Sequence, residues 1–144
     1  VLAAHEKRAG DAADLWLQAH ALAPNSRPLA VECCQALVTA GRPAEVLSLV
    51  ERVPPEIRGH GRVRLLEARA ALDAGDLDRV ESILLGGIEV PDMREGEVAL
   101  SDLWYGVQER RIAAAEGVPI DDALKERVRR ECPPPRQIDF RMAG

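Results

Sequence analysis

The sequence predicts an all-α protein, namely an array of helix-turn-helix pairs wound into an α-α superhelix with a helical C-terminal cap. Three observations predict this fold class: few aromatic residues among many alanines, an internal repeat around an Ala-Gly pair, and apolar residues at helical spacing. A helix inside such an array packs on two sides, so its apolar residues are expected on more than one face.

The composition is that of a globular helical protein. Apolar residues make up 47% of the 144 residues and charged residues 30%, and no apolar run approaches the ~18 residues that a membrane-spanning helix needs. With two Trp, one Tyr and one Phe, the core must be filled by Ala, Leu, Val and Ile. The net charge of −5 disfavours binding to a nucleic-acid backbone. We therefore expect a soluble, cytoplasmic protein without a membrane or nucleic-acid partner.

The internal repeat is centred on an Ala-Gly pair. Three segments align on it: AGDAADLWLQAHALAP, AGRPAEVLSLVERVPP and AGDLDRVESILLGGIEVP. Their glycines, Gly10, Gly41 and Gly75, recur at a spacing close to the period of about 34 residues that is typical of repeated helix pairs. Each Gly lies between two apolar-periodic stretches, where a left-handed residue ends one helix and lets the next begin. The pattern therefore predicts three helical hairpins that turn at these glycines.

Prolines mark several helix ends in these hairpins. Pro43 falls in the first turn of a helix, where the missing N–H costs nothing. Pro24 and the Pro54-Pro55 pair end the second helices of the first two units. The predicted helices cover about residues 2–9, 12–22, 28–40, 43–53, 60–74 and 77–86.

A different composition begins after Gly86 and Gly87. The stretch GGIEVPDMREGE predicts a loop, and Ser101 with the following Asp predicts an N-cap for a helix that ends near Glu116. Asp121 begins a last helix, which three consecutive prolines stop before an extended tail. We therefore divide the chain into repeats at 1–88, the first of them truncated, and capping helices with a tail at 89–144.

The Ala-Gly-Asp turns, the small residues Ala13 and Ala19 around Trp16, and the closing Pro24 resemble the tetratricopeptide repeat. The resemblance covers residues 1–88 and departs from the pattern in the third unit, where Glu81 takes the place of Trp16. It implies a module that binds a protein or peptide segment on the concave face of the array.

A second resemblance concerns the C-terminal third of the chain. The segment VPDMREGEVALSDLWYGVQERRIAAAEGVP, followed by PPPRQIDFRM, is similar to the C-terminal end of large bacterial multidomain proteins whose main domain has no assigned function. This resemblance implies that the chain is the C-terminal repeat region of a longer polypeptide. The upstream portion would be β-rich and sugar-related, and any chemistry would lie outside the present residues.

One set of polar residues falls at or near equivalent positions on the first helices of the three units, where such arrays line their concave face: Arg8, Gln35, Thr39, Arg69 and Asp73. We predict that this stripe binds a protein or peptide segment, in the first place another domain of the same polypeptide. The alternative is a solvated face that serves solubility alone. An exposed N-terminal end would also allow a weak homodimer.

Arg111 is the least expected residue of the C-terminal part, since it falls in the apolar sector of its helix. We predict a buried ion pair with Glu95 or Glu97, or with Asp73. The alternatives are an arginine that extends its stem over apolar surface and an arginine that binds an anion.

No pattern in the sequence predicts catalysis, a cofactor or a metal. The loop acids Asp92, Glu95 and Glu97, with Asp102 beyond them, match no calcium-binding loop and are interpreted as capping residues rather than cation ligands. Cys33 and Cys34 fall in a wide apolar sector and are expected to be inert core thiols. We therefore predict a non-catalytic binding or scaffolding module; the alternative is a purely structural cap of an upstream, carbohydrate-related enzyme domain.

Overall fold

The computed structural model describes residues 2–88 and 100–135, and every regular element in these two ranges is an α-helix. The prediction of an all-α protein is confirmed. The helices, in chain order, are α1 (Leu2–Leu22), α2 (Arg27–Thr39), α3 (Pro43–Arg52), α4 (Pro55–Arg58), α5 (Gly61–Ala74), α6 (Leu77–Leu85), α7 (Leu100–Glu116) and α8 (Asp122–Glu131).

Two of the predicted hairpins form around their glycines. Gly41, between α2 and α3, has φ +72°, and Gly75, between α5 and α6, has φ +83°. In this left-handed conformation, the N–H of the residue after the glycine can donate a hydrogen bond to a carbonyl in the last turn of the preceding helix. Arg42 N donates to Leu37 O at 2.9 Å, and Asp76 N donates to Ala71 O at 2.8 Å. The turns therefore satisfy carbonyls that the helix end leaves free.

The hairpin predicted at Gly10 is wrong, because α1 runs through this residue as one helix. The buried faces explain the error: Ala13, Val46 and Val80 are fully buried in α1, α3 and α6, and they recur at a nearly constant spacing along the chain. In that register the residue equivalent to Gly41 and Gly75 is Arg8. An arginine avoids positive φ, so the chain stays helical past this point.

Alanine substitutions at Gly10 and Gly75 test whether the chain stays helical at the first glycine and turns at the second. Gly10→Ala should stabilise the protein by about 0.5–1 kcal/mol, because Gly10 lies inside a helix and its added Cβ would meet no atom within 4 Å. Gly75→Ala should destabilise it by about 1–2 kcal/mol, because alanine is strained at positive φ. Urea unfolding followed by circular dichroism measures both values. Loss of stability in Gly10→Ala would show that α1 turns at this residue in solution.

The buried residues form two clusters that meet on α5. The first joins α1 to α5 and includes Leu37, Leu49 and Val63. The second joins α5, α6 and α7 and includes Leu84 and Leu103. The parts predicted as 1–88 and 89–144 thus share one core, since α5 and α6 supply one side of the second cluster and α7 the other.

The C-terminal helices end the array with a polar surface. Asp121 caps α8 by accepting a hydrogen bond from Leu124 N at 2.9 Å, as its position in the sequence predicts. Helix α7 already begins at Leu100, so Ser101 lies in its first turn and does not precede it. Leu124 and Val128 of α8 are buried, and the exposed residues of this helix are mostly charged: Asp122, Lys125, Glu126, Arg129 and Arg130.

Candidate protein-binding surface

Four of the five stripe residues lie on α2 and α5, the first helices of the two hairpins, and these helices pack against each other. On α2, Gln35 Nε2 donates to Thr39 Oγ1 at 3.5 Å. On α5, Arg69 Nε donates to Asp73 Oδ2 at 3.3 Å. Arg69 follows Gln35 at the same distance along the chain as Asp73 follows Thr39, so the two pairs occupy equivalent positions of successive repeats. We call these four side chains the α2–α5 row.

The row faces solvent and carries no net charge. Gln35, Thr39 and Asp73 are exposed and Arg69 is partly exposed. The amide and the hydroxyl can each donate and accept hydrogen bonds, the guanidinium donates and the carboxylate accepts. Such a set matches the N–H and C=O groups of a polypeptide backbone. It offers no group activated as a nucleophile or base.

Arg8 does not belong to this row. It was predicted to lie on the first helix of a first hairpin, but that hairpin is absent and Arg8 lies in the continuous helix α1. Its side chain is exposed, and no described residue forms an ion pair with it. The structure therefore places four of the five stripe residues in two equivalent pairs, one on α2 and one on α5, and places Arg8 on α1.

Within the described residues, Arg111 forms ion pairs with two carboxylates of α6. Its Nη2 lies 2.7 Å from Asp78 Oδ1, and its Nη1 donates to Glu81 Oε2, both on α6. The hydrogen bond to Glu81 raises the pKa of Arg111, which therefore stays charged. The side chain is 34% exposed, so this is a surface pair that joins α6 to α7 and not a buried one. Asp73 pairs with Arg69 instead.

The prediction that Glu95 or Glu97 pairs with Arg111 falls on residues outside the described ranges, as does the proposed capping role of Asp92. These parts of the interpretation stay predictions. Within the described ranges, Arg111 already has two carboxylate partners, which is enough to satisfy both terminal nitrogens of its guanidinium.

The most buried charged group of the described chain is one that sequence reasoning missed. The Glu67 carboxylate, on α5, is only 1% exposed. It accepts hydrogen bonds from Arg64 Nη1 at 2.9 Å and from Arg79 Nε at 3.0 Å, and Arg58 Nη2 lies 3.6 Å away. Arg79 also reaches Glu51 at 3.5 Å. Three guanidiniums from α4, α5 and α6 thus surround one buried carboxylate, which we call the Glu67 cluster.

A cleft of about 410 Å³ adjoins the Glu67 cluster, and Arg64 belongs to both. Its walls combine glycines with two isoleucines and the arginine: Gly59, Gly61, Arg64, Ile83, Gly86, Gly87 and Ile88. Beside it, Nδ1 of His60 is buried and has no hydrogen-bond partner in the described structure. Among the described residues of this lining, Arg64 supplies the one charged side chain.

Comparison with known proteins adds nothing to this geometry. No protein-family model, characterised protein or solved structure matches the chain. Any function must therefore be argued from the residues of this chain.

The thiols and the buried imidazole are placed as core residues. Cys33 and Cys34 are buried in α2, and burial raises the pKa of the Cys34 thiol to about 12 and also raises that of Cys33. A thiol with so high a pKa carries almost no thiolate at neutral pH, so the expected inert role is consistent with the structure. His20 is 7% exposed, and burial lowers its pKa, with Arg52 contributing in the same direction.

The described residues contain neither a metal-binding group nor a membrane-spanning helix. No group of three or more His, Cys, Asp or Glu side chains is placed so that it could hold a metal ion. No described helix combines the length and the apolar character needed to cross a membrane.

Proposed function

We propose that this chain is a non-catalytic protein-binding or scaffolding module of the tetratricopeptide-like kind, and that its α2–α5 row contacts another domain of the same polypeptide. One observation carries the proposal: two helices that pack against each other carry equivalent polar pairs, one repeat apart, and the side chains of these pairs are exposed or partly exposed. A repeated surface of this type suits a partner that is itself periodic, such as an extended or helical polypeptide segment.

The chemistry of the row fits such a partner. Arg69 and Asp73 offer opposite charges one helical turn apart, and Gln35 and Thr39 offer neutral donors and acceptors at the equivalent place. Each pair spans one turn of its helix, so a partner segment that runs across α2 and α5 would meet the two pairs in succession.

A purely structural cap is the second candidate, and the same internal bonds favour it. Each row side chain already has a partner, so the row does not need a ligand to satisfy its polar groups. The two candidates differ in one measurable respect: a binding module loses affinity when its row is removed, whereas a structural cap keeps any contact it makes through other surfaces.

Isothermal titration calorimetry can separate them. The probe is the polypeptide encoded immediately upstream in the same reading frame, expressed on its own and titrated with this chain. We expect 1:1 binding, and we expect the double variant Arg69→Ala/Asp73→Ala to bind at least about tenfold more weakly. The matched control is Lys125→Ala/Glu126→Ala, which removes one exposed cation and one exposed anion from α8.

Each outcome decides between the candidates. Weaker binding in the row variant with unchanged binding in the α8 control supports the proposal. Equal binding of both variants places the contact elsewhere and favours the structural cap. No heat of binding for the unaltered chain would overturn docking to the upstream polypeptide.

A further inference from the structure

Helix α1 carries an apolar seam that faces solvent. Ala12, Leu15, Ala19 and Leu22 follow one another at the alternating three- and four-residue intervals of a coiled-coil seam. Leu15 is 65% exposed and Leu22 is 88% exposed. Ala12 is exposed and Ala19 partly so. We call these four residues the α1 seam.

The packing of the repeats does not need apolar residues at the positions of the α1 seam. In the register that aligns the buried Ala13 with the buried Val46, the first three seam residues correspond to polar, exposed residues of α3, namely Glu45, Ser48 and Arg52. These positions are polar although α3 packs against both α2 and α5. In α6, Ser82 occupies the position equivalent to Leu15 and is exposed as well. The seam is therefore an apolar surface on the outside of α1 at positions where α3 is polar.

We propose that the α1 seam binds a second copy of this chain, with the two α1 helices antiparallel. In an antiparallel pair of α1 helices centred on residue 17, each leucine of the seam lies opposite an alanine of the second copy. Leu15 faces Ala19 of the second copy, and Leu22 faces Ala12 of the second copy. Each leucine then fills the space that an alanine leaves, which gives close packing in a twofold-symmetric contact.

The charge of Arg8 agrees with this orientation. The seam itself holds no charged residue. Arg8 lies one helical turn before Ala12, so in the antiparallel pair it reaches the C-terminal end of α1 of the second copy, where helix carbonyls carry partial negative charge. Arg8 is exposed and forms no ion pair with a described residue, so it is available for this contact. In a parallel pair it would face Arg8 of the second copy, and the two charges would repel.

Sedimentation equilibrium tests the association. The full chain should change from a mass near 15.7 kDa to about twice that value as its concentration rises from about 1 µM to 1 mM. The variant Leu15→Ser/Leu22→Ser should associate at least about 100-fold more weakly, because both leucines of each copy are replaced. Leu15→Ser gives α1 the residue that α3 and α6 carry at this position. The matched control is Leu85→Ser, which changes an exposed leucine of α6.

Cysteine cross-linking tests the orientation. In a Cys132→Ser background the remaining native thiols, Cys33 and Cys34, are buried. Under mild oxidation, Ala12→Cys and Leu22→Cys should give a mixed dimer when combined, because these positions are opposed in the antiparallel pair, and neither should cross-link alone. Cross-linking of Ala12→Cys with itself would instead indicate parallel helices.

These experiments distinguish a failure of the α1 pairing from a failure of the proposed function. A chain that stays monomeric up to about 1 mM, or a dimer unchanged by Leu15→Ser/Leu22→Ser, would overturn the α1 pairing. The row variant Arg69→Ala/Asp73→Ala should leave the dimer unchanged, since its residues lie on another helix. Circular dichroism of each seam variant should match that of the unaltered chain, because the two leucines are mostly exposed.

Discussion

Replacing Glu67 by alanine should lower the free energy of unfolding by about 3 kcal/mol. The carboxylate is 1% exposed and is bonded to Arg64 and Arg79, with Arg58 close by. Its removal leaves Arg58 and Arg64 without this counter-charge and Arg79 with Glu51 alone, and breaking a buried ion pair in this way costs about 3–5 kcal/mol. We expect the lower end of that range because the arginine side chains keep some contact with water.

Two further variants show whether the loss of stability comes from removing the buried charge of Glu67. Glu67→Gln keeps the size of the side chain and one acceptor oxygen, so its loss of stability should be smaller than that of Glu67→Ala. Glu32→Ala removes an exposed glutamate from α2 and should change the stability by less than about 0.5 kcal/mol. Urea unfolding followed by circular dichroism gives all three values. Equal stability of Glu67→Ala and Glu32→Ala would mean that the Glu67 cluster contributes nothing to the fold.

The Glu67 cluster also shows where sequence reasoning ends. Glu67 lies in a helix whose apolar residues can be predicted from their spacing, but nothing nearby marks this glutamate as buried. Its equivalent in the preceding hairpin is Cys33, which is also buried, so the repeat indicates a core position without indicating a charge. The burial becomes favourable only because Arg58 and Arg79 approach from other helices, and a single sequence without its fold does not contain that proximity.

Local backbone chemistry explains the elements that were predicted well. Gly41 and Gly75 adopt positive φ, Pro43 begins α3, and Asp121 caps α8, because each of these choices depends on a few neighbouring atoms. The failure at Gly10 has the opposite origin. The tripeptide Ala-Gly-Asp occurs both at 9–11 and at 74–76, and only the second copy turns. Whether the chain turns at this tripeptide depends on where the buried residues lie relative to the glycine.

The candidate site was predicted in part for the same reason. Thr39 and Asp73 could be aligned because they lie two residues before the glycines that turn α2 and α5, and the structure places them in equivalent pairs. Arg8 was aligned through Gly10, so the error in register carried over to it. The alignment based on Gly10 also hides the α1 seam, because it places Leu15 opposite the buried Val46 rather than the exposed Ser48.

Leu103→Ala should destabilise the first core cluster as well as the second, by about 3–4 kcal/mol in total. Leu103 of α7 is fully buried in the second cluster, where a leucine-to-alanine change leaves a cavity and costs about 2.7–5 kcal/mol. The effect should reach the first cluster because α5 contributes Val63 and Leu66 to one cluster and Leu65 and Leu72 to the other. Neither cluster keeps its packing if α5 unfolds.

The two tryptophans provide a separate probe for each cluster. Trp16 packs against the first cluster, and Trp104 packs against the second and donates from Nε1 to Cys132 O at 3.1 Å. In a Trp104→Phe background, fluorescence of Trp16 should show that Leu103→Ala lowers the urea midpoint of the first cluster. Leu85→Ala, at an exposed position of α6, serves as the control and should leave that midpoint nearly unchanged.

A lower urea midpoint for Trp16 would mean that the hairpins and the capping helices unfold together. The reason is that α5 belongs to both clusters and couples them more strongly than contacts between neighbouring repeats would alone. The opposite result is equally informative. If the midpoint reported by Trp16 stays fixed while helix content falls at lower urea concentrations, the capping helices unfold first and α5 can keep its packing on α3 without them. In that case α7 and α8 would be dispensable for the α2–α5 row, and a chain ending after α6 should retain the row and any partner bound to it.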